Sequence, residues 1–421
     1  MTTLFEGGQV FDCSGQMLPG HGVLVEDGAI KRVAPMAEFT GYDGHRIDTT
    51  GGTLLPGLID CHVHLIYAGE GNPFASLMSL TAGQITMRAL ENAQKSLTNG
   101  VTAVRDCGGK DYLEFAVRDA CNAGSQLGPT IRASGRMICM TGGHGNRMGR
   151  IADGVDDVIK AVREQVHAGA DLIKIMATGG VMTPGVNPED AHYTAEEMAA
   201  GIAEGKRFHK TSASHAQGAE GILNAVRGGV TSIEHGIFMT DECIEEMMQR
   251  GTYLVPTLAA VNNIIRNKDR GVPAYAVEKS LRVVDRHQQS IKSFYEAGGL
   301  IAMGTDAGTP FNYHGENARE LEYMVGIGIK PADAILASTR NGANLMQLTD
   351  RGSIAEGKVA DLLLVDGDPI LDISKVSDTA NHRLVVKGGM IAVDRRDGQS
   401  VATEQPAAMV LPITTPAQAG F

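Results

Sequence analysis

The sequence predicts an α/β fold: a (β/α)8 TIM barrel carrying a smaller, discontinuous β-sandwich domain built from both termini. Three observations lead there. Between residues 57 and 310, strand-like apolar runs alternate with helix-like segments, the signature of parallel βαβ units. There are eight such runs, the number that closes a parallel sheet on itself. The two ends of the chain share a different texture of short strands and tight turns. The length of 421 residues, 43% hydrophobic and 20% charged, is ordinary globular composition and leaves room for a second domain beside a barrel of roughly 250 residues.

Taken in order, residues 3–12, 22–34 and 50–57 read as short strands, with Glu26-Asp27-Gly28 a hairpin-like turn between apolar runs. Residues 357–369 and 382–393 return to that pattern. One composite β domain from 1–56 and 350–397 is therefore expected around a barrel at 57–349, followed by a Pro-, Thr- and Ala-rich tail at 398–421. The eight barrel runs are 58–65, 101–107, 129–135, 171–177, 211–217, 229–236, 252–258 and 300–308. Helices fall between them. Residues 153–168 carry Val155, Val158, Ile159, Val162 and Val166 at helical spacing, and Thr194 with Glu197 forms a capping box.

Several function classes are excluded. The net charge of −12 comes without a basic stripe, which a nucleic-acid surface needs. No apolar stretch reaches the roughly 20 residues of a membrane span. Six cysteines without a C-x-x-C pair read as buried free thiols of a reducing compartment. The first six residues lack a basic region followed by an apolar one. The expectation is a cytoplasmic, homo-oligomeric enzyme with a small-molecule substrate.

Five strand ends carry metal-ligand chemistry. His62 and His64 alternate on one strand and so share a face. Lys174 sits on one face with Leu172 and Met176, where an ammonium is costly unless paired or modified. A salt-bridged lysine and a carbamate, which presents two anionic oxygens, are both open. His215 and His235 each end a strand, and Asp306 follows an apolar strand between glycines. Alone, each has an ordinary structural alternative: a polar strand end, a packed histidine, a helix cap. Together they fall at the C-terminal ends of strands one, four, five, six and eight, where barrel active sites lie. Six groups suit two shared metal ions better than one four-coordinate site.

Leu55-Pro56-Gly57-Leu58-Ile59-Asp60-Cys61-His62-Val63-His64 resembles the signature that opens the barrel in the amidohydrolase superfamily. Ile233-Glu234-His235-Gly236 and Gly304-Thr305-Asp306 resemble its later stations. The similarity spans nearly the whole chain. It is closest to the imidazolonepropionase-like branch with zinc-dependent prolidases, Xaa-Arg/Lys carboxypeptidases and an ochratoxin-type amidohydrolase. The resemblance implies two zinc ions bridged by a carboxylated Lys174.

The implied reaction is hydrolysis of the amide bond in a dipeptide or N-acyl amino acid by metal-activated hydroxide, with Asp306 as general base. A cyclic amide, urea, carbamate or aryl amide is the second reading, and a metal-binding barrel without turnover the third. His144, in the glycine-rich loop after strand three, is expected to hold the oxyanion or the substrate. Gly143, Gln217, Val181 and His314 are further expected contacts. Gln217 stands where several peptidase relatives have tyrosine or histidine, which leaves side-chain preference open.

Overall fold

The computed structural model describes residues 2–396 and Val401–Ala402. The middle of the chain is a run of parallel strands. Leu58–Val63, Val101–Asp106 and Thr130–Ala133 form one sheet. Ile138–Cys139, Leu172–Met176, Thr211–Ala216, Ser232–His235 and Tyr253–Val255 follow in order in a second, with Arg150–Ile151 at its edge. Every pairing in both is parallel.

Two of the expected strands differ in detail. The third is broken, its ladder interrupted between Ala133 and Ile138. The eighth is not a continuous strand. Residues 301–307 pair only through parallel bridges, Leu254 with Ile301 and Val63 with Ala307. Further backbone bonds run from Cys61 N to Met303 O at 2.8 Å and from Asp306 N to His62 O at 2.7 Å. This segment therefore lies between the Tyr253–Val255 strand and the Leu58–Val63 strand. Close approach explains its glycine: a Cβ on Gly304 would stand 2.3 Å from Val255 Cγ1 and 2.8 Å from His62 Cβ.

The helices follow the sequence pattern. Val155–Ala168 buries Val158, Ala161, Val162 and Gln165 and ends at Gly169 in a left-handed conformation. Ala195–Arg207 starts with the Thr194–Glu197 capping box.

The chain ends meet in a seven-stranded sheet. Gly52–Pro56 pairs antiparallel with Leu362–Asp366, which pairs in turn with His382–Lys387. Gln9–Phe11 lies parallel to Gly52–Pro56 on the other side. Strand alternation divides its side chains between two cores. Leu54, Leu362, Leu364, Leu384 and Val386 pack with Phe5, Val23, Val25, Ile30 and Ile47 of a four-stranded sheet near the N-terminus. Leu363, Val365, Val385 and Val393 turn to the large core of the parallel strands. The tail expected at 398–421 lies outside the described residues except for Val401–Ala402, which pairs with Met390–Asp394. All six cysteines are free and buried. Among the described residues no helix is long and apolar enough to cross a membrane.

Candidate metal centre and active site

His62, His64, Lys174, His215, His235 and Asp306 line one cavity of about 350 Å³. His144, Val181 and Gln217 line it too; Gly143 and His314 are not among its described lining residues. His314 instead turns its Nε2 to the carbonyls of His64, at 3.2 Å, and Tyr67, at 3.1 Å, bracing the turn after the first strand from behind. A Cβ on Gly143 would stand 2.8 Å from Met140 Cγ and 3.0 Å from His192 Nδ1, so the loop packs closely there.

Backbone geometry aims several of these groups. His235, Thr257 and Asp306 have φ of 73°, 53° and 61°. A left-handed L-residue costs about 1–2 kcal/mol, and here it ends strand alternation at the strand mouth. Glu234 and His235 consequently both reach buried polar partners although they are adjacent.

The hydrogen bonds fix the imidazole tautomers. His62 Nδ1 lies 2.7 Å from Glu234 Oε2, His64 Nδ1 2.9 Å from the Gly108 carbonyl, and His215 Nε2 2.9 Å from the Gly179 carbonyl. These partners only accept, so those ring nitrogens donate. His235 Nδ1 lies 2.7 Å from Thr257 Oγ1, whose own proton goes to the Pro256 carbonyl, so here too the ring donates. A neutral ring so anchored keeps its other nitrogen bare. His62 Nε2 and His64 Nε2 then face Asp306 Oδ1 at 3.6 and 3.2 Å. Lone pairs that converge on a carboxylate oxygen call for a cation between them. The donor atoms of His62, His235 and Asp306 lie within 4.8 Å of one another, as a shared ion requires.

Burial holds His62 down at about 4 and drives His215 and His235 well below the ordinary imidazole value, with Lys174 adding to the effect. Neutral rings are the metal-binding form. His64 is the exception: burial pushes it down, but Asp306 draws it above its usual value. For Asp306, burial works upward and is outweighed by His64, His62 and His235, which hold the carboxyl far below its usual range. A second trio, His62, Cys107 and Glu234, is equally close. It is the poorer ligand set, because burial lifts the Cys107 thiol to about 12 and Glu234 is committed elsewhere.

Glu234 was not anticipated as a functional residue. Its Oε1 accepts from Arg105 Nη2 at 2.8 Å and Ser232 Oγ at 2.6 Å, while Oε2 takes the His62 proton. Arg105, equally buried, also donates to the Cys61 carbonyl at 2.6 Å. Asp60 is a second such carboxylate, accepting from His62 N, Thr305 N and Oγ1, and Asn317 Nδ2. A lone histidine on a strand end gives no hint of these partners. Lys174 is 2% exposed, and its Nζ has no hydrogen-bond or ion-pair partner among the described residues.

His144 Nδ1 stands 2.7 Å from Thr183 Oγ1, and its ring lies 4.4 Å from that of His215. Thr183 belongs to the loop after the Leu172–Met176 strand. Lys279 clasps that loop from a neighbouring helix by donating to the carbonyls of Gly180, Thr183 and Val186.

Comparison with known proteins agrees with this geometry. The amidohydrolase family model matches residues 53–392. The chain belongs to the amidohydrolase family. It is 28% identical to ochratoxinase of Aspergillus niger over 90% of this chain and 85% of that protein. It is 25% identical to imidazolonepropionase of Micrococcus luteus over 86% of this chain and 92% of that one. Among solved structures, a Xaa-Pro dipeptidase with bound methionine superposes with a TM-score of 0.86 at 33% identity, covering 93% of this chain and 99% of that one. This amidohydrolase is thus a hydrolase acting on C–N bonds, in an enzyme family whose substrates are small-molecule amides or dipeptides and whose members typically use divalent metals.

Proposed function

We propose that this amidohydrolase cleaves the amide bond of a dipeptide or N-acyl amino acid at a binuclear zinc centre. The observation that carries the reading is the set of four imidazoles, each with one nitrogen anchored by the protein and the other bare, grouped with Asp306 and an unpartnered buried lysine. His62, His64, His215, His235 and Asp306 would hold the ions, with Lys174 as an N6-carboxylate. Carboxylation removes the cost of a buried ammonium without an acceptor. When bound, the ions supply Lewis acidity, which acidifies water and polarises the scissile carbonyl.

The chain's own residues do the rest. Asp306 takes the proton from the attacking water and returns it to the departing amine. Neutral His144 can stabilise the carbonyl oxygen only if Nε2 carries the proton, which makes Thr183 the donor to Nδ1. Val181 and Gln217 shape the pocket wall. In this reading the eight parallel segments close into a barrel through the Leu254–Ile301 and Val63–Ala307 bridges. The terminal sheets form a composite β-sandwich from 1–56 and 350–397.

The apolar part of the lining, which includes Phe74, Met148, Met176 and Ile264, supports a second reading with an aryl or cyclic amide, urea or carbamate. A panel of dipeptides, N-acyl amino acids, cyclic amides and phenylureas, run with elemental analysis of the pure enzyme, tests both. Turnover of acyl amino acids with about two zinc ions per chain is expected. Active enzyme without metal would overturn the metal reading. Turnover confined to cyclic amides or ureas would overturn the substrate reading.

A further inference from the structure

We propose that Arg147 anchors a substrate carboxylate, so that this site selects amides carrying a free carboxylate over their neutral counterparts. The inference deepens the amide-hydrolase reading and rests on it.

Arg147 lines the same cavity as the metal-ligand set. Among the described residues its guanidinium has no hydrogen bond and no ion pair. The guanidinium stands over the face of Phe74, with Cζ 4.8 Å from the ring centroid, and its charge also acts on the Tyr275 hydroxyl. Other cavity charges are committed. Asp306 is the one carboxylate among the described lining residues, and it faces His62 and His64. Lys174, once carboxylated, belongs to the metals. The uncommitted charge at the mouth is therefore positive, although the chain as a whole carries −12. An anionic substrate is the natural complement.

Arg147 is exposed at the mouth of the cavity, but the backbone that carries it is tied down. Arg147 and His144 share one loop. Backbone bonds from Met148 N and Gly149 N to Gly145 O, at 3.1 and 2.9 Å, hold it, and Arg136 donates to the carbonyls of Met148 and Gly149. The spacing between the proposed oxyanion group and the cation is thus set by one short tethered segment. Stacking on Phe74 leaves the guanidinium's edge, with its fork of donors, free for the two oxygens of a carboxylate.

The test uses matched pairs: an N-acetyl amino acid or dipeptide and its C-terminal carboxamide. For zinc-loaded wild type, kcat/KM should favour the acid by about ten- to a hundred-fold, the usual worth of a charge-assisted bond. Arg147→Met should abolish that preference, mostly through a rise in KM for the acid, with a much smaller loss on the carboxamide. Arg147→Lys should keep part of it. Metal content and Tm should match wild type in both variants. A second arm reads binding alone: the free amino acid should raise the Tm of metal-free wild type more than its amide does, and Arg147→Met should erase the difference. Equal cleavage of acid and carboxamide by wild type, or equal losses on both in Arg147→Met, overturns the anchor and leaves amide hydrolysis standing. If the loaded enzyme cleaves no amide, the hydrolase reading fails, and the binding arm still decides for or against Arg147.

Discussion

Replacing Glu234 by glutamine exchanges a single heavy atom, oxygen for nitrogen, at a highly connected buried carboxylate of the site. Its oxygens serve Arg105 and Ser232 on one side and His62 on the other. An amide offers one oxygen and one NH2. If the oxygen stays with Arg105, the NH2 faces His62 Nδ1 and forces the ring's proton onto Nε2, the nitrogen that points at Asp306. If the oxygen turns to His62, two donors face each other at Arg105. In either case a guanidinium that is 1% exposed loses its counter-charge. Breaking a buried pair in this way costs about 3–5 kcal/mol. At roughly 2–4 °C per kcal/mol for a large domain, Tm should fall by on the order of 10 °C. Metal affinity should fall about 10–100-fold, as when a ligand histidine loses its orienting partner. Calorimetry of the apo protein and a competitive chelator titration measure the two effects separately. The double variant Arg105→Met/Glu234→Leu should recover much of the Tm, because neither charge is left stranded, yet keep the weakened metal affinity, because His62 Nδ1 still lacks an acceptor. Glu234→Gln with an unchanged Tm and unchanged metal affinity would refute the coupling.

Asp306→Asn keeps the side chain's size but cannot take the proton, so kcat should fall by roughly 10²–10⁴ with a smaller change in metal content; near-normal kcat in steady-state assays would move the base elsewhere. Lys174→Ala should lose metal and activity, short carboxylates should restore part of both, and Lys174→Arg should do no better than alanine; an arginine variant with normal turnover would show that the residue acts as a plain cation. Glu114 tests a different burial, since both its oxygens lack partners and burial pushes its carboxyl up to about 8, with Asp106 adding to the rise. Its raised folded-state value means that stability is present below the ordinary carboxyl range near 4.5 and is lost as pH rises through about 8. Glu114→Gln should therefore gain Tm relative to wild type as pH climbs from 5 to 8, and a difference that stays flat across that span would contradict it.

The grouping of the candidate metal ligands around one cavity was legible because strand periodicity is local. His62, Lys174, His215 and His235 each lie on a short strand visible whole in the sequence, so the face and the end follow from counting by two. The likeness of the two chain ends was legible as texture, since residues 50–57 and 357–369 both read as short apolar strands, but their antiparallel pairing in one sheet was not. The break in the third strand and the bridge-only pairing at 301–307 were also hidden. The bridge-only pairing goes with a left-handed Asp306 and a close backbone approach at Gly304, which an apolar run ending in Gly-Thr-Asp does not distinguish from an ordinary strand.

Direction and partnership are the quantities that pattern does not carry. His314 follows the eighth segment just as His144 follows the third, yet one bonds backbone carbonyls behind the site and the other lines the cavity. Arg105 and Glu234 are separated by more than a hundred residues, and each looks ordinary until the sheet brings them together. The same holds for the absence of a partner. With 49 acidic residues in the chain, any arginine in a sequence can be imagined paired, so an unpaired one has no sequence signature. Arg147 becomes informative only once the carboxylates of the described structure have been placed and none has reached it. For a site of this kind, side chains that bind metal are read from the strand they stand on, whereas side chains that choose the substrate are read from what the folded chain leaves unsatisfied.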